Sequence, residues 1–479
     1  MSARSLMRGR SRSNDGSRAL LNKIMIAPLS VIALLAPLLY GSNRPTFWAF
    51  WGILIGLIGA GWFAVMTLKN MRPRYGLNRY PLISVFFFTT ALYALMQILP
   101  LGSMAPIARS TVLQDVIFTP ATISVAWGET FYALVRWLTY GLVFFLVVQV
   151  AAASDRSRLL MRLIFWTIVA HAALALVFRF QLGDTILGTP KTFYKGSTTG
   201  GFVNRNSFAT YLAFGSIIGL ARMLDTVFKA PILHGKHAKS AKHANHATLA
   251  PSFVGWSIIL VALVTTNSRM GLFSAACGMA LTAVLVFLAS KRSGNAPHAK
   301  WVIWALGLTA LVIVVGYGAD LYLRAENLIL NQDATIRGNL YRQVFGMILD
   351  RPLLGFGGSA FEQAYPLYLQ PPVDLSGIWD KTHSTYLAMW VGYGLIFGSL
   401  PILIVLSIFV KVLKRSLSAT GIDILPIAAA GVILAGAIHS LVDFSLEMEG
   451  NAIVFTMIAT IGFTRALRTP QSQSEADTE

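Results

Sequence analysis

Residues 51–100 read "WGILIGLIGAGWFAVMTLKNMRPRYGLNRYPLISVFFFTTALYALMQILP". Two runs without a charged residue flank a basic stretch, "KNMRPRYGLNR" (69–79). A bilayer-spanning helix takes roughly 17–25 mostly apolar residues. Both runs meet that length, so this stretch reads as two membrane helices joined by a basic loop.

The rest of the chain repeats the pattern. Of its 479 residues 55% are hydrophobic and 12% charged, against about 25% charged in soluble proteins. Mean hydropathy is +0.62. Twelve apolar segments qualify as spans, near 24–40, 47–68, 80–100, 131–152, 159–180, 207–228, 253–267, 270–290, 301–319, 384–410, 424–443 and 450–465. The fold class is therefore an all-α polytopic membrane protein. The basic N-terminus resembles the n-region of a signal peptide, but the apolar run after it is long and lacks an A-x-A site, so it reads as an uncleaved first span. The lone Cys277 excludes a disulfide within the chain.

The net charge of +19 has a membrane explanation. With a cytoplasmic N-terminus, alternate loops are all rich in Lys and Arg: "KNMRPRYGLNR", "SDRSR", "KAPILHGKHAKSAKHANHA", "KRSGNAPHAK" and "KVLKR", followed by the Arg465/Arg468 end. The opposite loops "GSNRPT" and "SLEMEG" are poor in them. That is the positive-inside pattern, and it places both termini in the cytoplasm. No nucleic-acid partner is needed. The organisation read from it is a basic tail (1–23), helices one to nine (24–319), a large outer loop (320–383), helices ten to twelve (384–465) and a second tail (466–479). The stretch with His234, His237, His243 and His246 reads as a flexible basic linker, since it lacks the Cys and carboxylate partners of a metal site.

Some charges defy the rule. Arg205, Arg269, Arg337, Arg342 and Lys381 fall on the outer side, and the outer loops 181–206 and 320–383 are long. In the second, Asp333 suits a helix N-cap, and Ile336, Leu340, Val344 and Ile348 recur at helical spacing until Pro352. An amphipathic helix is expected there, with Arg337 and Tyr341 one turn apart on one face. The "GFGG" after it is not a phosphate loop, because no GK[ST] follows. His383 stands at the entry to the tenth span.

Arginine near hydrocarbon is costly and marks function more often than not, although snorkelling or helix capping also places it there. Its planar fork matches phosphate oxygens and keeps its charge. Arg205, Arg269 and Arg337 at one membrane face suit a lipid-linked diphosphate, and His383 suits proton removal from a hydroxyl. Asn204 and Asn206 flank Arg205 as candidate caps of the sixth span. His439 and Asp443 read equally as a structural or a catalytic pair. Asp443, Glu447 and Glu449 read as a polar outer turn rather than a metal cluster. Repeats and broken helices, the marks of a transporter, are not evident.

Five stretches carry a family resemblance: "GGFVNRNSFATYL" (200–212), "TNSRMGLFSAACG" (266–278), "RGNLYRQVFGMILDRPLLGFGG" (337–358), "HSTYLAMWVGYGLIFG" (383–398) and "HSLVDFSLEMEGNA" (439–452). In order and spacing they resemble the O-antigen ligase and polysaccharide polymerase superfamily of bacterial inner membranes. The resemblance implies a GT-C-like glycosyltransferase working at the periplasmic face, without cofactor or metal. Its implied donor is an undecaprenyl-diphosphate-linked glycan and its acceptor a sugar hydroxyl. Membrane lipids and the chain-length or export proteins of a polysaccharide pathway are further implied partners. It makes Arg205, Arg269 and Arg337 diphosphate-binding residues and His383 the base of an inverting transfer. Tyr341, Asn204, Asn206, His439 and Asp443 are implied in support. Polymerisation of exopolysaccharide or O-antigen repeats is the first reading. Ligation of finished glycan to lipid A core or protein is the second, and a lipid-linked-glycan flippase or transporter the third. Ser384 and Met270 depart from the family pattern without removing a charge or a base.

Overall fold

The computed structural model describes residues 3–101, 111–113, 116–118, 122–228, 236–293, 307, 332–375, 377–419 and 421–468. Its elements are α1 (Ala3–Ile24), α2 (Ile26–Leu38), α3 (Pro45–Leu68), α4 (Pro81–Ile98), α5 (Trp127–Val150), α6 (Ser154–Phe180), α7 (Arg205–Phe228), α8 (Lys236–Thr265), α9 (Arg269–Arg292), α10 (Gln332–Asp350), α11 (Thr385–Ser418), α12 (Ile424–His439) and α13 (Glu449–Ala466). Two small antiparallel ribbons pair Thr111–Leu113 with Val116–Phe118 and Thr185–Ile186 with Thr189–Pro190.

Among the described residues, eight helices are long and apolar enough to cross a membrane, and Leu249–Thr265 and Ile424–His439 are apolar but shorter. With α13, eleven of the twelve expected segments are helical. The segment 301–319 lies, apart from Gly307, outside the described residues. The first expected span starts earlier than 24, because its helix runs back to Asn14. The linker expected around the histidines is corrected from Lys236 onward, where the chain is already in α8.

Helix α7 lies at the centre, with buried residues on nearly all its faces. Two of its neighbours, α9 and α12, approach each other closely beside its Ile217. A Cβ at Gly431 of α12 would lie 2.4 Å from Thr282 Oγ1 and 2.7 Å from the carbonyl of Gly278 on α9. Small residues allow such contact between membrane helices, where dispersion and not the hydrophobic effect drives association. Large apolar side chains are exposed on the outside, among them Ile53, Leu57, Val85 and Leu406. In a bilayer they face lipid.

Helix α10 is the expected amphipathic helix. Its Leu340, Val344, Met347 and Ile348 pack on Phe356, Phe361, Leu387 and Val391. It begins at Gln332, so Asp333 sits in its first turn and not at the cap.

One expectation about the helices is overturned. Helix α11 is broken at Gly394, whose φ of 72° and ψ of 172° are not helical. The "GFGG" segment fills the break. Phe356 N–H donates to Val391 O at 2.8 Å, Gly357 N–H to Gly392 O at 2.9 Å, and Leu395 N–H to Pro352 O at 2.7 Å. Gln97 adds bonds from Nε2 to Gly392 O and Leu354 O, each 2.9 Å. Irregular backbone inside a bilayer must be satisfied by protein, and these contacts do so.

Candidate active site

Asn204 caps α7. Its Oδ1 accepts from the N–H of Asn206 at 2.7 Å and of Ser207 at 3.3 Å. Such a cap leaves Arg205 as the first helical residue. Asn206 does not cap. Its Nδ2 donates to Asp443 Oδ2 at 3.1 Å. This ties α7 to the turn between α12 and α13.

Arg205 is half-buried. Its guanidinium stands 5.5 Å from the Tyr194 ring centre and donates to Ser197 Oγ at 3.4 Å. Ser197 Oγ also accepts from Asn267 Nδ2 at 3.1 Å, in the turn just before Arg269. Arg269 heads α9, where a Cβ on Gly271 would lie 2.4 Å from Ala209 of α7. So Arg269 starts a helix packed beside the first turns of α7. The 181–204 loop is locked by Lys191, whose ammonium donates to Asp184 Oδ1 and to Ser197 O, each at 2.6 Å. Burial works against the Asp184 charge, yet the bonds from Lys191 and Gly196 and the Arg179 charge hold its carboxyl below the ordinary value.

From the other side, α10 delivers Arg337 and Tyr341. Arg337 Nη1 donates to Val442 O at 3.5 Å, and Tyr341 Oη donates to His383 O at 2.9 Å. The expected shared face is present, and it meets the 439–444 turn and the start of α11. Burial raises the Tyr341 hydroxyl above its usual range.

His383 is held by its neighbours. Ser384 Oγ donates to Ser440 O at 3.2 Å, and Thr385 N–H to Ser440 O at 3.0 Å. The His383 ring lies edge-on to Phe444, 5.2 Å between centres, and its Nδ1 is buried without a hydrogen-bond partner. Its φ is +56°, the left-handed region that side chains avoid. Tyr194 and Asn267, both beside Arg205, share that strain at +55°. Strained residues of this kind cost about 1–3 kcal/mol each and gather at functional sites. Burial lowers the His383 imidazole below its usual 6.5, Asp443 pulls it back up, and Arg337 lowers it again.

Asp443 is the hub. It is buried, accepts from Asn206 and from Ser445 Oγ, and its backbone carbonyl accepts from Thr385 Oγ1 at 3.3 Å. The expected His439–Asp443 pair is not a hydrogen-bonded one. His439 Nδ1 bonds the Thr210 hydroxyl of α7 instead. The acidic segment does form a turn, and that turn is packed into the protein. Glu449 is fully buried, and burial pushes the half-buried Glu447 up to about 7.

Sequence reasoning missed Tyr194, Ser197, Asn267 and Thr210, which carry no periodicity and act through single contacts. It also missed Arg136, a charge inside the fourth apolar segment, which the cost of ionisable groups in hydrocarbon should have flagged. Arg136 Nε donates to Tyr140 Oη at 3.2 Å, a second guanidinium nitrogen donates to Glu447 O, and its cation sits 4.6 Å from the Trp48 ring centre. It lines a cavity of about 1540 Å³. Thr382 and Thr385, either side of His383, line the same cavity, whereas Arg205, Arg269, Arg337 and His383 do not.

Residues 254–400 match the family model described as O-antigen ligase. Over that stretch the chain is similar to that family. The ligase-family match contains Arg269, Arg337, Tyr341 and His383, while Arg205, His439 and Asp443 lie outside it. No curated protein matches the chain.

Proposed function

We propose that this ligase-family protein transfers a glycan from a polyprenyl-diphosphate-linked donor to a sugar hydroxyl at the outer face of a bacterial inner membrane. The supporting observation is the meeting of Arg337, Tyr341, His383 and Asp443 around one turn, with Arg205 adjoining it through Asn206, which bonds Asp443, and through Tyr194, which feels Arg205, Arg337 and Asp443 alike. Arg205, Arg269 and Arg337 hold the diphosphate and neutralise the charge that grows on it as the glycosidic bond breaks. The acceptor oxygen attacks the anomeric carbon and inverts it. The acceptor proton passes to His383, and the polyprenyl diphosphate leaves. Asp443 steadies the imidazolium that forms.

A base must be unprotonated to act. His383 is lowered from 6.5, so transfer is expected to be flat above pH 7 and to fall only as pH drops through the lowered value. Asp443 raises that value, so Asp443→Asn is expected to move the acid limb to lower pH and to slow transfer about tenfold. Rates of glycan transfer in membranes across pH 5–8 check both. An acid limb unmoved in Asp443→Asn counts against this pairing.

Transport of a lipid-linked glycan is the competing reading favoured by one observation, the break in α11. However, the break is filled by residues 352–357. A transporter would keep working in His383→Ala, whereas the glycosyltransferase is expected to lose polymer with normal protein levels.

A further inference from the structure

Helix α7 carries a second cationic centre at the end remote from Arg205. Arg222 lies about 26 Å further along the same helix axis. A pocket of about 130 Å³ opens there between α6, α7 and α12. That is room for a few water molecules or one phosphate group. Its apolar part is built by Met161, Ile218, Leu425 and Ala428, all buried. Among the described residues its charged lining is Arg158 of α6 with Arg222 and Asp225 of α7. A third arginine, Arg162, follows Arg158 by one turn of α6 and acts on the Arg222 charge.

The carboxylates around the pocket leave positive charge in excess. Asp225 lines it, and its Oδ2 stands 3.5 Å from Arg158 Nη1. Asp155 and Asp423 are near in sequence to Arg158 and Ile424 but do not line it. Asp155 is exposed, and Asp423 Oδ2 accepts from Arg465 Nε at 2.8 Å. One carboxylate therefore faces two lining arginines, with Arg162 behind them.

Arg222 is also thinly satisfied for a group with five donors. Its Nη2 donates to Ser252 Oγ at 3.5 Å, a long bond, and its cation lies 5.2 Å from the Phe165 ring centre. Its Nε is buried without a hydrogen-bond partner. Joining helix ends accounts for the Arg158–Asp225 pair. It does not account for a guanidinium drawn into a pocket with donors to spare, since a buried donor left unmade costs stability. A tetrahedral anion matches the volume, the spare donors and the excess charge together, because the arginine fork fits phosphate oxygens.

We propose that this pocket binds a phosphate group, held by Arg222 and Arg158, and that the bound anion fastens α6, α7 and α12 at the end of the bundle opposite the candidate active site. The loop-charge pattern assigns that end to the cytoplasm, where basic pockets between membrane helices take anionic lipid headgroups. A soluble phosphate offers the same oxygens, and the two sources are separable by experiment.

The purified full-length protein is titrated with dioleoylphosphatidylglycerol, dioleoylphosphatidylcholine or inorganic phosphate. Native mass spectrometry counts bound equivalents, and thermal unfolding is followed alongside. The wild type is expected to bind one tight equivalent of phosphatidylglycerol, about tenfold tighter than phosphatidylcholine, and to melt higher with it. Arg222→Gln and Arg158→Gln are each expected to weaken that equivalent by about tenfold. Lys414→Gln removes an exposed cation of α11 outside the pocket and is expected to keep it. Arg158 is exposed, so Arg158→Gln tests the site even where Arg222→Gln lowers the melting point without ligand. Tight binding of inorganic phosphate with the same dependence on both arginines supports the site and identifies the ligand as a soluble one. Undiminished phosphatidylglycerol binding in Arg158→Gln and Arg222→Gln overturns the proposal. So does equal binding of phosphatidylcholine, or no tight equivalent of either anion.

Discussion

Replacing Arg337 by alanine is expected to reduce glycan transfer by about 10²–10³-fold while the protein still accumulates in the membrane. Arg337 sits on a helix that packs against the bundle through Leu340, Val344, Met347 and Ile348, not through the arginine. Its hydrogen bond to Val442 O is a long one, 3.5 Å. Little stability is lost with it, so a loss of product would report on chemistry. The charge nonetheless reaches His383, Tyr341 and Tyr194. Arg337→Lys is expected to recover only part of the rate, because a point charge replaces a two-pronged donor. The check is polymer on the cell surface, with protein level measured alongside. Normal polymer in Arg337→Ala would remove it from the diphosphate site.

Gly431→Leu is expected to destabilise the membrane domain by about 3 kcal/mol. The Cβ alone would meet Thr282 Oγ1 at 2.4 Å and the Gly278 carbonyl at 2.7 Å. The second neighbour is backbone and has no rotamer to change, so α9 and α12 must separate. Their separation also loosens both from α7, whose Ile217 touches the same point. Because α7 carries Arg205 and Asn206 at its start, activity is expected to fall with stability. Thermal unfolding in detergent checks this, with Gly61→Leu as the control, since nothing lies within 4 Å of a Cβ at Gly61. Equal melting of the two variants would show that the contact is unimportant.

Much of this was legible in the chain. Hydrocarbon thickness imposes a length, and loop charge imposes a sidedness pattern, so helices appeared where apolar runs predicted them. The spacing of Arg337 and Tyr341 likewise fixed a common face before any contact was known. The break in α11 was not legible. Glycines at 392 and 394 have many uses, and only the arrival of residues 352–357 at their backbone makes an interruption affordable in the membrane. His439 and Asp443 looked like partners because they are four residues apart, yet both turned to α7, one to Thr210 and one to Asn206.

The sequence by itself determined the solvent, the helical class and the chemical kinds of residue available to the candidate site, because these depend on local composition and period. Only the tertiary structure decided which residues meet. It drew Tyr194 and Ser197 to Arg205 and Asn267 to Ser197, set Asp443 as the hub, and placed Arg136 on the cavity that Thr382 and Thr385 also line. Those choices depend on contacts between segments tens to hundreds of residues apart, and they leave no periodic signal in the chain.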